Sequence, residues 1–410
     1  MTLEKLVCTA CACLCDDILV EINDNRITSI KNACITGSSF IFASQSNKKR
    51  ASYHVAGQSV SYNEAIKKAS SLLKNANSPM LFGFDKSTME SQVAAIELAE
   101  TLNATIDDNS SFCKGALIDT IINEINPTCS FNEASEADLL LFWGSNPYHS
   151  HPRHLSHLSY YTHTKYRPEG WFPDLHLIYI DVRETEIQNI CDQFINIKPG
   201  EDQNFISSVL SSLNGNSGSE DVDKFVTSIK NSNFCVIYAG LGLDYSLNSN
   251  YELFTTMVKE LGKSTRIAVI PMIGHYNMLG FNHSLFLKTH HINKVNFDNG
   301  ITYGDNFSFL EQIRKGIPDC VLIAGSDPLT SLPESLAQNL KKIPIITIDP
   351  FISPTTEISE VVLGTSISGL ENSGNAIRMD GTKISFMNPL SSSIPGDEEI
   401  IKELTNMVKS

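Results

Sequence analysis

Seven short apolar runs, spread through a chain of 410 residues, limit this protein to an alternating α/β architecture. Within each run the apolar residues are nearly continuous, which is typical of strands covered on both faces and therefore of parallel sheets under helices. Segments with helical periodicity lie between the runs, and capping boxes are predicted from Ser61 to Glu64 and from Ser87 to Glu90. The runs are PMLFGF, ADLLLFWGS, LHLIYIDVR, NFCVIYAGLG, RIAVIPMIG, DCVLIAGSDP and IPIITIDP.

These signals predict two Rossmann-like parallel-sheet units behind a small N-terminal domain. A chain of 410 residues is long enough for two or three compact units. The order of the strands indicates that one α/β unit is inserted into the other. The expected segments are an N-terminal domain over 1–57, the first part of an α/β domain over 58–120, an inserted α/β domain over 121–250, and the second part of the first domain over 251–410.

Clustered cysteines near the N-terminus predict a metal site, because a large chain without a signal peptide favours metal binding over disulfides. Cys8, Cys11 and Cys15 follow the spacing C-x2-C-x3-C. The segments ILVEI and RITSI predict a hairpin around the turn INDNR, and this hairpin returns the chain to Cys34. Four thiolates in this arrangement suit a [4Fe–4S] cluster, with Cys13 outside the spacing. A structural zinc is the alternative, although Cys34 lacks the neighbouring cysteine of a second zinc knuckle.

Most of the predicted strands end in glycine or in a small polar residue. Ligands of open parallel sheets bind at the carboxyl ends of the strands, where glycine lets backbone N–H groups approach a phosphate. Several such ends in one chain predict a large phosphate-bearing cofactor, whereas the absence of GxGxxG and Walker A patterns disfavours a simple dinucleotide or ATP site. A turn or a helix cap is the alternative explanation at each position. The ends are Gly144–Asn146, Asp181–Arg183, Gly240–Gly242, Gly325–Asp327 and Asp349.

Charge and hydropathy exclude several classes of partner. The chain has 31 Lys and Arg against 46 Asp and Glu, and its net charge of −15 repels a phosphate backbone, so we expect no nucleic-acid partner. The N-terminus MTLEKLVC lacks the layout of a signal peptide, and no apolar stretch approaches the roughly 20 residues that a membrane helix needs. The expectation is a cytoplasmic protein without membrane association.

A cysteine outside the N-terminal group stands in DDNSSFCKG, at the entry to a helix predicted over ALIDTIINEI. The helix N-terminus and the adjacent Lys114 would both favour the thiolate form of Cys113. A buried structural cysteine is the alternative.

The loop WGSNPYHSHPRHLSHL holds four histidines around Arg153. Its two prolines and its lack of an acidic residue favour a polar loop that holds an anionic cofactor over a zinc site. Arg153 would bind phosphate through paired hydrogen bonds, and His151 is a candidate cofactor contact. His154 and His157 are also explained as satisfied helix residues.

Taken in order, these segments resemble the catalytic B-type subunit of formylmethanofuran dehydrogenase, in its tungsten or molybdenum form, within the bis-pterin superfamily of formate dehydrogenase and dimethyl sulfoxide reductase. The resemblance covers about residues 6–405 and depends on no single motif. Its motifs are C-x2-C-x3-C-DDI, the NAC return, SYNEAI, the cysteine before Gly115, WG-NP-H-HPRH, IPM-GHYN-GFN, GSDP and IDP-PTTE.

The resemblance implies a [4Fe–4S] cluster on the four N-terminal cysteines and a tungsten or molybdenum centre bound by Cys113 and by two pyranopterin guanine dinucleotides. It implies reversible reduction of CO2 to formate. It also implies partner chains: an amidohydrolase-like subunit that joins formate to methanofuran, a β-barrel pterin-binding subunit, and polyferredoxin-type electron carriers. No C-terminal β-barrel is expected in this chain, which ends in the helix-like EEIIKELTNMVKS. Beyond the strand ends and the histidine loop, the candidate pterin contacts are Thr355, Thr356, Asn372 and Arg378.

Two departures from the family pattern matter for the substrate, besides a minor one at Val182, where proline is usual. The family usually has histidine directly after the metal-bound cysteine and arginine directly before GHYN, where this chain has Lys114 and Ile273. Lysine still offers a cation and a donor, but isoleucine offers neither to a carboxylate. Lys114 and the retained His275 are therefore the candidate residues for handling protons or substrate.

Three functions follow from this pattern. The favoured one is a working CO2-reducing or formate-oxidising subunit with an altered pocket. The second is the corresponding B-type chain of a bacterial formyltransferase/hydrolase complex with little or no redox activity. The third is an electron-transfer or binding module with a cluster but no pterin metal. The retained cysteines favour the first function, and the sequence does not discriminate tungsten from molybdenum, since both take the same ligands.

Overall fold

The computed structural model describes residues 2–124, 128–163, 168–170 and 175–410. All of the predicted apolar runs form strands. The strands are, in chain order, β1 (Thr2–Leu6), β2 (Ile18–Asn23), β3 (Arg26–Lys31), β4 (His54–Val55), β5 (Gln58–Ser59), β6 (Pro79–Gly83), β7 (Thr105–Asp107), β8 (Leu139–Trp143), β9 (His176–Asp181), β10 (Gln193–Asn196), β11 (Phe234–Ala239), β12 (Arg266–Pro271), β13 (Val295–Asn296), β14 (Thr302–Tyr303), β15 (Cys320–Ala324), β16 (Ile345–Asp349), β17 (Val361–Gly364), β18 (Gly374–Ile377) and β19 (Lys383–Phe386).

Helices separate most of these strands, as the alternating pattern predicts. Among them, the helices expected after Ser61, after Cys113 and at the C-terminus are confirmed. The helices are α1 (Ile35–Ser44), α2 (Tyr62–Asn75), α3 (Met89–Thr101), α4 (Gly115–Asn123), α5 (Phe131–Ala134), α6 (Pro147–Ser150), α7 (Asp202–Leu213), α8 (Glu220–Asn231), α9 (Leu241–Leu247), α10 (Glu252–Leu261), α11 (Met278–Thr289), α12 (Phe309–Lys315), α13 (Glu334–Leu340), α14 (Pro354–Ile358) and α15 (Asp397–Lys409).

The chain divides into two compact units. Unit 1 comprises Met1–Ser111, His275–Arg378 and Lys383–Ser410, and unit 2 comprises Phe112–Gly274 and Met379–Thr382. β12 lies beyond residue 250, where the division made from the sequence ends the inserted domain, yet it pairs in parallel with β11. Unit 2 therefore continues through this strand. Residues 1–57 fall within unit 1, and their status as a separate domain stays a prediction.

The sheet of unit 2 is fully parallel, in the order β10-β9-β8-β11-β12. The chain starts at β8, adds β9 and β10 on one side, and then adds β11 and β12 on the other. This reversal makes the carboxyl ends of β8 and β11 a topological switch point, where open parallel sheets bind their ligands. Buried apolar side chains such as Leu141 and Ile237 pack under the flanking helices, each contributing about 2 kcal/mol through burial.

The main sheet of unit 1 has nine strands in the order β14-β13-β7-β6-β15-β16-β17-β4-β5. Its centre, from β7 to β17, is parallel, and short antiparallel strands extend both edges. The strand order reverses between β6 and β15, so the carboxyl ends of these two strands form the switch point of this unit. α2, α3 and α15 contribute apolar residues to the core beside the sheet.

The start of α3 differs from the sequence prediction. The helix is capped by Thr88, whose hydroxyl accepts a hydrogen bond from the Ser91 N–H, and not by Ser87. The Ser87 hydroxyl donates instead to Asp397, at 2.5 Å. The predicted capping box from Ser87 to Glu90 is therefore wrong, because a buried carboxylate competes for the serine and the helix begins one residue later.

The N-terminal hairpin is confirmed. β2 and β3 pair antiparallel, with β1 on the other side of β2. Asp24 and Asn25 take φ values of 49° and 58°, the left-handed pair that a tight hairpin turn requires. β18 and β19 form a separate two-stranded sheet. Among the residues that the structure describes, no helix combines the length and the apolar character needed to cross a membrane.

Candidate active site

Two of the cysteines predicted to bind the iron–sulfur cluster lie beside one glycine of unit 1, and a backbone hydrogen bond joins a third to them. The Cys8 N–H donates to the Cys15 carbonyl at 2.9 Å. Cys34 caps α1, and its sulfur accepts the Gly37 N–H at 3.4 Å. A Cβ atom on Gly37 would lie 2.9 Å from the Cys8 Sγ and 3.8 Å from the Cys34 Sγ. The glycine thus leaves room for both sulfurs, and the hairpin returns Cys34 to the first thiols.

Cys11 and Cys13 form a hydrogen-bonded pair in the same region. The hydrogen bond from Cys13 lowers the pKa of the Cys11 thiol, although burial works in the opposite direction. The same bond, together with burial, raises the pKa of Cys13 well above its ordinary value. Of the two thiols, Cys11 therefore converts more readily to the thiolate form that binds metals.

This donor set fits the group that the sequence predicts. The ten cysteines, which all lie among the described residues, form no disulfide with one another. Thiolate sulfurs gathered on a loop, with an N–H donor directed at one of them, are the environment in which [4Fe–4S] clusters are held. A zinc ion would use the same donors.

A cavity of about 330 Å³ lies at the switch point of unit 1. Lys86, from the loop after β6, lines it together with Gly325 and Asp327 after β15 and Asp349 after β16. Gly325 has a φ of +59°, and a Cβ atom there would lie 3.2 Å from the Lys86 Cβ. Three of the strand-end residues predicted to contact the cofactor therefore share one cavity.

Two further features give this cavity its polarity. Burial raises the pKa of the Asp349 carboxyl to about 7, while its hydrogen bond from the Phe351 N–H and the charge of Lys86 act in the opposite direction. Burial also raises the pKa of Asp397, which accepts hydrogen bonds from Ser87 and Thr365. The wall therefore combines carboxyl groups that can pair with N–H donors and a lysine that can pair with phosphate.

The predicted pterin contacts in the C-terminal part have different surroundings. The Thr355 N–H and hydroxyl both donate to Asp327, the N–H at 3.1 Å, so Thr355 holds a cavity residue in place. Thr356, the third residue of α14, forms a capping box with Ser353. The Asn372 side-chain nitrogen would lie 2.6 Å from a Cβ atom on Gly396. Arg378 is buried, with 8% exposure.

His275 pairs with Asp85 in unit 1. The Nδ1 atom of the imidazole contacts the Asp85 carboxylate, which is fully buried. The Asn109 side-chain amide donates to both oxygens of this carboxylate, at 2.9 and 3.1 Å. His275 itself keeps a side-chain exposure of 33%. A candidate proton-handling residue is therefore held by a carboxylate that sequence reasoning did not identify.

Cys113 and Lys114 directly precede α4 in unit 2. Lys114 is buried, with 6% exposure, and its Nζ donates to the Met272 carbonyl. Burial lowers the pKa of Lys114 to about 8, while the charges of Cys113 and Asp244 act in the opposite direction. The lysine thus links the cysteine at the helix entry to the segment that follows β12.

The carbonyl next to that of Met272 binds a histidine. Ile273 is fully buried, and its carbonyl accepts a hydrogen bond from His151 Nε2 at 2.7 Å. Because the carbonyl can only accept, the ring proton of His151 is on Nε2, and Nδ1 accepts from the Ser150 hydroxyl at 2.9 Å. Burial lowers the pKa of His151 to about 4, so the imidazole is neutral at pH 7.

The other histidines of this loop have separate partners. His149 lies 3.1 Å from Glu186. His154 is fully buried, contacts the Ser159 hydroxyl at 3.0 Å and packs edge-on against the Tyr238 ring. Burial lowers its pKa well below the ordinary value. In the part of the chain that the structure describes, no two of these histidines belong to the same group of candidate metal ligands.

Glycines form the floor of the switch point in unit 2. Gly144 has a φ of +62°, and a Cβ atom on it would lie 2.4 Å from the Leu243 nitrogen. A Cβ atom on Gly240 would lie 2.1 Å from the Gly144 oxygen, which also accepts the Gly242 N–H at 2.9 Å. Direct backbone packing therefore requires these residues, and it leaves the ends of β8 and β11 without side chains.

The polar candidates of unit 2 follow the ends of the adjacent strands β8 and β9. Asn146 caps α6 through the Tyr148 N–H at 3.0 Å, and its amide donates to Glu186 at 3.2 Å, which joins the two loops. Asp181 accepts the Val182 N–H at 2.8 Å, and the exposed Arg183 follows. Arg153 precedes one turn of π-helix, His154–Leu158.

The sequence of this chain matches the profile of one known protein family. The profile of the family described as "Molybdopterin oxidoreductase" matches residues 58–397, which include both switch points. The chain belongs to the molybdopterin oxidoreductase family. It is therefore an oxidoreductase, of a family whose cofactor is a molybdopterin.

Two relatives of this oxidoreductase are similar along their full length. It is 29% identical to the B-type subunit of tungsten-containing formylmethanofuran dehydrogenase 2 from Methanocaldococcus jannaschii, over 99% of this chain and 98% of the relative. It is 28% identical to the protein of the same name from Methanococcus maripaludis, with the same coverage of both chains. The resemblance read from the motifs is confirmed.

Two solved structures share the fold of this oxidoreductase. One is the formyltransferase/hydrolase complex of Methylorubrum extorquens with methylofuran, with a TM-score of 0.71, 16% identity, and coverage of 87% of this chain and 99% of that chain. The other is acetylene hydratase from Pelobacter acetylenicus, with a TM-score of 0.72, 12% identity, and coverage of 99% of this chain and 69% of that chain.

Sequence reasoning missed Asp85 and Lys86 of this oxidoreductase. Both follow the run PMLFGF, so the rule applied to the other strand ends would have found them. It also missed Asp397, the first residue of α15, whose place in the cavity depends on a fold contact that no local pattern reveals.

Proposed function

We propose that this chain is the catalytic subunit of a formylmethanofuran dehydrogenase, which reversibly reduces CO2 to formate. One observation carries the proposal: the sulfurs of Cys8 and Cys34 both lie close to Gly37. The full-length relatives of this chain are named as tungsten-containing, which agrees with a metal-binding role for such thiols. The cofactors would be a [4Fe–4S] cluster on Cys8, Cys11, Cys15 and Cys34 and a tungsten or molybdenum bis(pyranopterin guanine dinucleotide) bound by Cys113.

Each unit offers one switch point, and we assign one pyranopterin guanine dinucleotide to each. In unit 1, the carboxyl groups of Asp349 and Asp397 suit the N–H donors of a guanine edge, and Lys86 suits a phosphate. In unit 2, the glycine floor at Gly144 and Gly240 suits a pyrophosphate that approaches the backbone. Arg153 and Arg183 supply candidate counter-charge.

The bound cofactors would supply the two-electron chemistry at the metal and the single-electron steps through the cluster. The residues of this chain would bind the substrate and move its proton. Lys114 offers a buried cation and His275 a proton acceptor, while Ile273 is apolar and fully buried. A substrate carboxylate would thus be oriented by lysine.

The partners in this proposal follow from the reaction. An amidohydrolase-like subunit would condense formate with methanofuran, a polyferredoxin-type carrier would exchange electrons with the cluster, and a further chain would provide the β-barrel part of the pterin site. Both relatives are named as one subunit of a larger enzyme, which supports a multi-subunit assembly.

A second candidate is the equivalent chain of a formyltransferase/hydrolase complex with little or no redox activity. The buried Ile273 favours it, because an apolar side chain offers no hydrogen bond to formate. The gathered thiols near Gly37 argue for the first function, since a metal-free scaffold does not need them.

The test is anaerobic purification of the complex from cells supplied with tungstate and molybdate, followed by elemental analysis and a formate:viologen assay. Cys113→Ala is expected to remove tungsten or molybdenum and the activity while the iron content stays intact. Cys191→Ala, which changes another half-buried cysteine of unit 2, is the matched control. A native protein that holds neither heavy metal nor iron would establish the scaffold, and iron alone would establish an electron-transfer module.

A further inference from the structure

Asp85 is a buried carboxylate that lies directly after β6 and contacts the imidazole of His275. It has 0% exposure, whereas the His275 side chain is 33% exposed. An ionised carboxylate only accepts hydrogen bonds, so the contact keeps a proton on Nδ1 of His275, and in the neutral form of the imidazole this leaves the lone pair on Nε2.

The Asp85 carboxylate is itself held in place. The Asn109 amide donates to its two oxygens at 2.9 and 3.1 Å, and the same amide lies 3.2 Å from the Ser326 hydroxyl in the cavity wall. The Asp85 carbonyl accepts the Asn277 N–H at 3.0 Å. Asp85 therefore fixes the GHYN segment twice, through its side chain at His275 and through its backbone at Asn277.

The charges around Asp85 keep it ionised. Burial works to raise its pKa, but the charge and hydrogen bond of His275, the charge of Lys86 and the amide of Asn109 together lower it. The other acid that faces it is Asp108, whose pKa is raised first by burial and then by the charge of Asp85. Of these two acids, Asp85 is therefore the one that ionises more readily.

We propose that Asp85 is a positioning residue that fixes the tautomer of His275, so that Nε2 exchanges the proton of the reaction. This inference rests on the proposed function. The balanced reaction is CO2 + 2 e⁻ + H⁺ ⇌ HCOO⁻, in which the two electrons come from the electron carrier named above. Formation of formate consumes one proton, and its oxidation releases one. A carboxylate behind the imidazole stabilises the cation that forms when Nε2 takes up that proton.

The first test is independent of activity and uses the full chain labelled with ¹⁵N on histidine. The nitrogen shifts and two-bond N–H correlations report the tautomer, and His275→Gln assigns the signal. In the wild type we expect the Nδ1–H tautomer. In Asp85→Asn, the new amide presents its oxygen to Asn109 and its N–H to the imidazole, so His275 shifts to the Nε2–H tautomer. A wild-type signal in the Nε2–H form overturns the proposal.

The second test is a double-mutant cycle in the metal-loaded complex. Asp85→Asn and His275→Gln are each expected to lower kcat for formate oxidation about 100-fold, with KM changed by less than twofold. The double variant should lose no more than His275→Gln alone, because Asp85 acts through the imidazole. Asn109→Ala keeps the carboxylate and should give a smaller loss of kcat that disappears in the His275→Gln background.

Additive losses in the cycle would assign Asp85 a purely structural role and overturn the proposal. An inactive wild-type complex with full metal content would reject the proposed function instead. The tautomer measurement would still decide the relationship between Asp85 and His275, so the two failures are distinguishable.

Discussion

A Cβ atom on Gly83, the last residue of β6, would lie 2.3 Å from the carbonyl oxygen of Ala324, the last residue of β15. Gly83 also has a φ of +102°. We expect Gly83→Ala to lower the free energy of unfolding by about 3 kcal/mol, because the new methyl group separates two paired strands and the backbone is strained.

The control for this substitution is Gly57→Ala. Gly57 has a φ of +74° but nothing within 4 Å of its Cβ position. The substitution therefore adds only backbone strain and should lower the free energy of unfolding by about 1 kcal/mol. Denaturant unfolding followed by circular dichroism measures both variants. Equal losses at the two positions would contradict the packing explanation.

Cys34 and Cys13 should respond differently to serine substitution. Cys34→Ser is expected to remove most of the iron bound by the purified chain, because a ligand is lost and the cap of α1 changes. Cys13→Ser is expected to retain it, since Cys13 is predicted to be a neutral thiol outside the ligand set.

Iron and acid-labile sulfide per chain are the measurements. Retention of iron in Cys34→Ser, or its loss in Cys13→Ser, would refute the assigned ligand set. Zinc without labile sulfide in the wild-type chain would establish the zinc alternative.

The buried carboxyl group of Asp107 is expected to make the stability of the protein depend on pH. It is fully buried, and burial raises its pKa from 3.8 to about 6. Between these values the folded state binds the proton more tightly than the unfolded state, so this group makes the free energy of unfolding fall as the pH rises. The slope is at most about 1.4 kcal/mol per pH unit, and the contribution is flat above about pH 6.

Urea unfolding of the wild type and of Asp107→Asn from pH 4 to pH 8 isolates this effect, because all other carboxyl groups titrate in both proteins. We expect the stability difference between them to change between about pH 4 and pH 6 and then to stay constant. A difference that is constant over the whole range would show that Asp107 is ionised in the folded state throughout.

The side chain of Asp202 makes a buried hydrogen bond that is expected to stabilise unit 2. Its carboxylate accepts the Trp143 indole N–H at 2.6 Å, and both residues are buried. Asp202→Ala leaves the indole N–H without this partner in the core and should cost about 2 kcal/mol. Asp221→Ala, which removes an exposed acid from the first turn of the next helix, should cost about 0.5 kcal/mol.

Tryptophan fluorescence during unfolding measures both variants, since the chain has only two tryptophans. Equal losses of unfolding free energy for the two substitutions would mean that the hydrogen bond to Trp143 stabilises the protein no more than an exposed acid in the first turn of a helix does.

The central strands were predictable because buried parallel strands carry continuous apolar runs, as in LLLFW of β8. The edge strands were not. β13 and β4 have two residues each, too few to show a period, and they are strands only because they pair with β7 and β17. Tertiary contact, not local sequence, creates them.

The candidate site was predictable where spacing carries the information. The cysteines near the N-terminus and the glycine at each strand end have fixed local patterns. The pairing of Asp85 with His275 joins residues separated by 190 positions, so no local pattern reports it. The predicted cap of α3 was wrong for a related reason. Ser87 and Thr88 are both good capping residues, and the distant Asp397, which binds the Ser87 hydroxyl, decides between them.

The contacts of Gly144 and Gly83 with opposite backbone divide each candidate cofactor site into a fixed base and a replaceable rim. The base tolerates no side chain, so it cannot evolve toward a different ligand without opening the sheet. The rim residues Asn146 and Asp327 lie two positions after Gly144 and Gly325, and their side chains make hydrogen bonds to neighbouring loops and helix ends, not contacts with an opposite strand. New ligand preferences in this scaffold would therefore arise from exchanges at the rim, with the architecture beneath them unchanged.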